Sequence, residues 1–302
     1  MVAREEPGFE VATDHAGRAV VQGPTARGAA ADFPLRVPRG YVARMRTGDP
    51  DDPLLAQVWP SARERESVDG FGPDPVGERA AMLEPGVLHK YRGRVLLVTT
   101  GACGIHCRYC FRREFPYAEA NPRRDQWQTA LATIAHDPSI EEVILSGGDP
   151  LSLPDRTLAD LAERIAAIPH VTTLRLHTRL PVVVPERVDE ALTQWLAMTP
   201  LHTVVVLHAN HANELDRDVA AAAERLRRCG AMLLNQAVLL AGVNDGCGEQ
   251  AALGRGLLRC GVLPYYLHLL DPVRGAAHFD VSVERARQLM ADLAARMPGY
   301  LI

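Results

Sequence analysis

Six short apolar runs punctuate the chain after its first third: RVLLVTT (94–100), EEVILSGG (141–148), TTLRLHT (172–178), HTVVVLH (202–208), AMLLNQAVLL (231–240) and LPYYLHLL (263–270). Between them lie segments whose apolar residues recur at helical spacing: DQWQTALATIAHD (125–137), LADLAERIAAI (158–168), VDEALTQWLAM (188–198), DVAAAAERLRRCG (218–230) and EQAALGRGLLRCG (249–261). Strands and helices in alternation imply parallel strands covered by helices. Six strands are fewer than the eight that close a full barrel. The pattern therefore predicts an α/β fold, a partial (β/α)6 TIM-like barrel. A doubly wound sheet would carry a glycine-rich fingerprint after its first strand, whereas here that strand runs into cysteines.

Residues 1–92 have a different texture, rich in proline, glycine and charge, and end in the turn-rich PGVLHKYRGR. They read as an N-terminal extension of a few helices and irregular segments, with the barrel over 93–302. In a parallel barrel the working groups sit at the C-terminal strand ends. That rule selects the cysteine loop, SGGDP, HTRLP, HANH, NQAVLLAGVND and HLLD, in strand order.

Composition narrows the field. A net charge of -4 over 302 residues gives no basic excess for nucleic acid or a membrane surface. No apolar run approaches the ~18 residues of a span, and the acidic, broken start is unlike a signal peptide. A cytoplasmic location is expected. Six cysteines are too few for a disulfide scaffold. Lys90 is the sole lysine, which restricts any chemistry that needs an amine.

Half of the cysteines stand in TGACGIHCRYCFRR (100–113), where Cys103, Cys107 and Cys110 form a C-x3-C-x2-C spacing. Three thiolates on one short loop can reach three corners of a 4Fe-4S cube, and a complete protein set would have four. The iron without a protein ligand is an open coordination site. Zinc held with His106 is the alternative, although structural zinc usually pairs two separated ligand knuckles.

This spacing, with an aromatic residue before the last cysteine, resembles the radical S-adenosylmethionine (SAM) superfamily. There the open iron chelates SAM, and reductive cleavage yields a 5′-deoxyadenosyl radical. The turn Ser146, Gly147, Gly148, Asp149 matches the family turn that contacts the methionine amino group. HKYRGRVLLVTTGACGIHCRYCFRREFPY, LSGGDPL, LHTRLPVVVPERV, NQAVLLAGVND and YYLHLLDPVRGAAHF together resemble the lysine 2,3-aminomutase branch, nearest to enzymes that make (R)-β-lysine for elongation factor P. That resemblance covers roughly residues 70–302.

It implies migration of the α-amino group of L-lysine to the β-carbon, with pyridoxal phosphate (PLP) carrying the nitrogen and the radical removing hydrogen from C3. Its partners would be a cellular one-electron reductant and, indirectly, elongation factor P with its lysine ligase. Arg112 matches the arginine that grips the substrate carboxylate, a task suited to a planar fork. Asp271 matches an aspartate for the distal ammonium, which argues against glutamate as substrate. Arg94 matches a PLP phosphate contact, and Asn235 with Gln236 a polar pair in the cofactor cavity. His208, with Asn210 and His211, would line the mouth, as would His177, Thr178 and Arg179.

The chain departs from the family at its end, MPGYLI. Family members anchor PLP through a lysine beyond the last barrel helix, just after a second ammonium-binding aspartate. The comparison implies truncation relative to such a member. Lys90 lies far from the family's Schiff-base position, while an imine formed directly between PLP and substrate needs no internal lysine. Other readings are a lysine 2,3-aminomutase of free-lysine metabolism, and a cluster-bearing remnant with impaired PLP chemistry that acts as a binding protein.

Overall fold

The computed structural model describes residues 10–13, 19–22, 32–120 and 127–302. In the run TLRLHT, Leu174, Leu176 and Thr178 are buried while Thr173, Arg175 and His177 are half-buried. That two-residue period belongs to a strand with one face packed on helices and the other turned to a partly open space. Glu10–Thr13 (β1) and Ala19–Gln22 (β2) pair as a small antiparallel ribbon of their own. The main sheet has eight strands, neighbours in reverse chain order from Leu263–His268 at one edge to Met82–Glu84 at the other. Its parallel part comprises Arg94–Thr100 (β5), Glu142–Gly147 (β6), Thr173–Thr178 (β7), His202–His208 (β8), Met232–Val238 (β9) and Leu263–His268 (β10).

Helices cover one face of this sheet: Gln128–His136 (α1), Asp155–Ala166 (α2), Glu190–Met198 (α3), Arg217–Arg228 (α4) and Cys247–Arg259 (α5). In α2, Leu158, Leu161, Ala162 and Ile165 are buried, a stripe at three- and four-residue steps. Each leucine or isoleucine of the stripe contributes about 1.5–3 kcal/mol on burial. Asp216 starts α4 by accepting from the amides of Asp218 and Val219. A sixth helix, Val283–Ala294 (α6), follows β10 and starts on the Ser282 cap. The helical segment expected from 125 begins within 121–126, outside the described residues.

The N-terminal extension differs from its expected helices and irregular segments by contributing strands. Met82–Glu84 (β3) and Val87–Tyr91 (β4) form a hairpin that continues the sheet antiparallel from β5. Gly86 holds φ +77° in its turn, a conformation that favours glycine. Short helices at Arg39–Val42 and Pro53–Ala56 place Tyr41, Leu54 and Val58 in the main core. Further along, Gly72 accepts from Arg274 N at 3.0 Å and donates to Pro272 O at 2.9 Å. The extension thus touches both edges of the open barrel, β5 through β4 and the loop after β10 through Gly72. Among the described residues no helix is long and apolar enough to cross a membrane.

Candidate active site

The loop after β5 carries Cys103, Cys107 and Cys110, all free and half-buried. Burial pushes the Cys110 thiol up to about 11 and raises Cys103 as well. Such thiols hold their protons until a positive centre offsets the desolvation of the thiolate. Among the described residues no three His, Cys, Asp or Glu side chains converge as ligands of one ion would. Cysteines that bind separate corners of a cube stand further apart than ligands of one ion. Three unpaired thiols on one loop fit a 4Fe-4S cluster with one corner open.

Every arginine of CRYCFRR is held by a glutamate of the extension. Arg108 donates to Glu64 through Nε at 2.8 Å and through Nη2, and Arg113 Nη2 reaches the same carboxylate at 2.8 Å. Burial is the largest single effect and raises the Glu64 carboxyl, but the bonds from Arg108, Ser61 N and Arg113 together outweigh it and hold the group below its usual range. Arg112 donates to Glu78 through Nε at 2.8 Å and Nη2 at 2.6 Å, and through Nη1 to Ser146 Oγ at 2.9 Å and Gly147 O at 3.2 Å. The fork assigned to a substrate carboxylate therefore already holds a carboxylate of this chain.

The SGGDP turn closes onto the cysteine loop. Gly148 N donates to Thr100 O at 2.7 Å and Asp149 N to Ala102 O at 2.8 Å. A Cβ on Gly147, at φ +136°, would sit 2.3 Å from Thr100 O, and one on Gly148 2.3 Å from Ala102 O. Both glycines are needed for this close backbone contact. Asp149 turns away from the loop and accepts from Thr178 Oγ1, Arg179 N, Leu180 N and Leu151 N. It braces the turn against the end of β7, and burial raises its carboxyl to about 6.

The concave face of the sheet supplies the remaining groups. His208 pairs in register with Gln236, and Gln236 with Tyr266, so the three share that face. Asn235 points the other way, toward α5, and its amide exchanges hydrogen bonds with the backbone of Ala209 at 2.9 and 3.0 Å. The expected polar pair is thus divided, with only Gln236 on the concave side. His177 has no hydrogen-bond partner for Nε2 among the described residues. Burial and the charges of Arg175 and Arg112 push its ring down to about 3, so it is neutral at pH 7.

Tyr109 Oη accepts from Asn210 Nδ2 at 2.7 Å and Arg179 Nη1 at 2.6 Å and lies 2.8 Å from His208 Nε2. Gln57 Oε1 at 3.3 Å and His208 Nε2 both lie within reach of the tyrosine proton, and burial keeps the His208 ring neutral. Asp271, after β10, is half-buried with no side-chain hydrogen bond or ion pair among the described residues. Burial raises its carboxyl, and it senses His268, Glu78, Lys90 and Arg112.

Arg94 opens β5, roughly 20 Å along the strand from the cysteine end at ~3.3 Å per residue. It stacks over Tyr91 at 4.3 Å. The structure therefore gathers the cysteines, Ser146, Gly147, Gly148, Asp149, Arg112, His208 and Asp271 near one end and leaves Arg94 at the other. The unpaired His177 nitrogen fits a hydrogen-bonding cofactor in the concavity, whereas the nearby Arg175 is already paired with Glu142, Nε to Oε1 at 3.0 Å. Lys90 does not fit as its anchor, being exposed and bonded to Val76 O at 2.5 Å.

Comparison with known proteins shows the family. Residues 97–252 match the family model described as the radical SAM superfamily. A protein of Escherichia coli (strain K12) named L-lysine 2,3-aminomutase is 50% identical over 89% of this chain and 79% of its own length. A Haemophilus influenzae protein of the same name is 47% identical over 89% of this chain and 80% of its own. The chain belongs to the L-lysine 2,3-aminomutase family of radical SAM proteins. A solved structure titled native anSMEcpe with bound AdoMet and Kp18Cys peptide has a TM-score of 0.51 at 14% identity, covering 66% of this chain and 57% of that one, a likeness of fold alone.

For this member of the radical SAM superfamily, the sequence had not pointed to Glu64, Glu78, Gln57 or Glu214. Gln57 and Glu214 both bind Arg179, the residue after β7. No spacing rule links positions so far apart. The one available signal was three arginines within CRYCFRR against a single adjacent acid, Glu114, an imbalance that a buried loop must meet from elsewhere.

Proposed function

We propose that the protein is a radical SAM, PLP-dependent lysine 2,3-aminomutase that converts L-lysine to (R)-β-lysine for the modification of elongation factor P. The observation that carries this reading is the unpartnered Asp271 carboxylate, half-buried in the electrostatic neighbourhood of Arg112 and the cysteine loop. A half-buried carboxylate without a cation suits the distal ammonium of a diamino acid. A distal carboxylate there would meet like charge.

When bound, the cluster and SAM supply a carbon radical, and PLP supplies an aldehyde that carries the migrating nitrogen. Cys103, Cys107 and Cys110 would hold three irons. Gly147 and Gly148 fix the distance between the SAM-side turn and the cysteine loop. Arg112, oriented by Glu78 and Ser146, would receive the substrate carboxylate on its remaining Nη2 hydrogen or by exchange with Glu78. Neutral His177 and Gln236 offer hydrogen bonds in the concavity without adding charge beside the cationic groups. The sequence resemblance supports the elongation factor P assignment.

The test is anaerobic reconstitution with iron, sulfide, SAM and PLP, incubation with L-lysine, and chromatography of the products. β-Lysine and 5′-deoxyadenosine are both expected, and Cys107→Ala should abolish both. Formation of 5′-deoxyadenosine without β-lysine would sink the aminomutase assignment and keep the radical chemistry. β-Lysine that the elongation factor P lysine ligase does not attach would point instead to free-lysine metabolism.

A further inference from the structure

Arg179 lies directly past β7 and reaches the second cysteine. Its Nη1 donates to Cys107 Sγ at 2.7 Å and to Tyr109 Oη at 2.6 Å. Its Nη2 donates to Gln57 Oε1 at 2.7 Å and Glu214 Oε2 at 2.9 Å, with Tyr41 Oη at 3.3 Å. The side chains of the Arg179–Glu214 pair are only 5% and 0% exposed. The guanidinium is therefore held from the extension, the cysteine loop and the segment after β8 at once.

A buried ion pair is weak evidence for stability, because desolvation of both ions offsets their attraction and apolar side chains of like volume often do as well. The position of the cation, in contact with a cysteine of the C-x3-C-x2-C loop, calls for another reason. Arg108, Arg112 and Arg113 all turn to glutamates. Arg179 instead turns an N–H to a cysteine sulfur.

We propose that Arg179 sets the reduction potential of the cluster through its N–H···S contact to Cys107. The inference rests on the reading that Cys103, Cys107 and Cys110 carry a 4Fe-4S cluster. Taking one electron from a low-potential donor lowers the cluster from the 2+ to the 1+ state, and the added negative charge sits on irons and sulfurs. An N–H donor with a full positive charge at a ligand sulfur stabilises that reduced state and raises the potential. Glu214, on the far side of the same guanidinium, offsets part of the cation and holds the rise in check. Arg179 is thus a positioning and tuning residue that acts through Cys107.

Opposite signs follow for the two partners, which a purely structural clamp would not produce. In anaerobically reconstituted protein without SAM, titrated with dithionite and followed by electron paramagnetic resonance, Arg179→Gln should lower the midpoint and Glu214→Gln should raise it. At fixed potential, the reduced-to-oxidised ratio should change by about tenfold in each direction, a shift of about 59 mV for one electron. Either single variant leaves a buried charge unpaired and can fail to fold. The double variant Arg179→Met/Glu214→Met removes both charges, and its midpoint should fall because the donor nearest the sulfur is gone. Iron content is measured in parallel. Wild-type protein that binds no iron would overturn the cluster reading and this inference together. Full iron loading with an unchanged midpoint in the double variant would overturn the role of Arg179 alone.

Discussion

Glu78 commits both carboxylate oxygens to Arg112, at 2.8 Å from Nε and 2.6 Å from Nη2, in a pair whose side chains are nearly sealed from solvent. Breaking such a pair by removing one partner costs about 3–5 kcal/mol, because the other charge stays buried. Glu78→Gln should lower the urea midpoint accordingly. L-Lysine should raise the midpoint of this variant more than that of wild type, since its carboxylate supplies the missing charge. An unaltered midpoint would mean that the pair is not maintained in solution.

Asp271 should matter for substrate and little for radical generation. A hydrogen bond to a charged group contributes about 1.5–3 kcal/mol, so Asp271→Asn should reduce kcat/KM for β-lysine formation by roughly tenfold to a hundredfold. Iron content should be unchanged. Equal kcat/KM in the variant would remove Asp271 from the substrate site.

His177 gives the protein a pH dependence with a defined sign. Its folded pKa of about 3 lies below the ordinary histidine value of 6.5. Between these values the unfolded chain binds the proton more readily, so stability is full above about 6.5 and is lost as the pH falls toward 3. The full difference is on the order of 5 kcal/mol. His177→Gln should withstand acid better than wild type, with a gap in unfolding free energy that widens from pH 6.5 downward. Parallel acid-unfolding curves would refute the assignment.

Gly148→Ala places a methyl group against Ala102 O, at 2.3 Å before relaxation. The backbone contact between turn and cysteine loop must open. Iron retention should therefore fall while far-ultraviolet circular dichroism stays near wild type. Normal iron loading would show that the loop tolerates the displacement.

The divided pair offers a contrast within one strand. Asn235→Ala should destabilise the fold by about 1–3 kcal/mol through two unmet backbone groups at Ala209. Gln236→Ala should leave the denaturation midpoint intact and weaken PLP binding, followed by absorbance during titration. Reversal of these two effects would reverse the facing assigned to the strand.

The parallel strands were legible because each has the sheet's two-residue period or a short apolar run: the run 172–178 contains β7 at Thr173–Thr178, and 94–100 coincides with β5. The three cysteines were legible because their spacing is local. Glu64 and Glu78 were not, since they meet Arg108 and Arg112 across 44 and 34 residues. Side-chain pairing over such distances leaves no periodic trace. The opposite facing of Asn235 and Gln236 was readable from the strand period alone, but attention to polar character hid it. Helix α6 also had a signal, with Ser282 as cap and Leu289 and Leu293 buried one turn apart.

The grip of Glu64 and Glu78 on the cysteine loop also orders events during synthesis. A ribosome releases the chain from its N-terminus, so both glutamates emerge before any of the three arginines they neutralise. Each arginine of the loop meets a counter-charge that is already present.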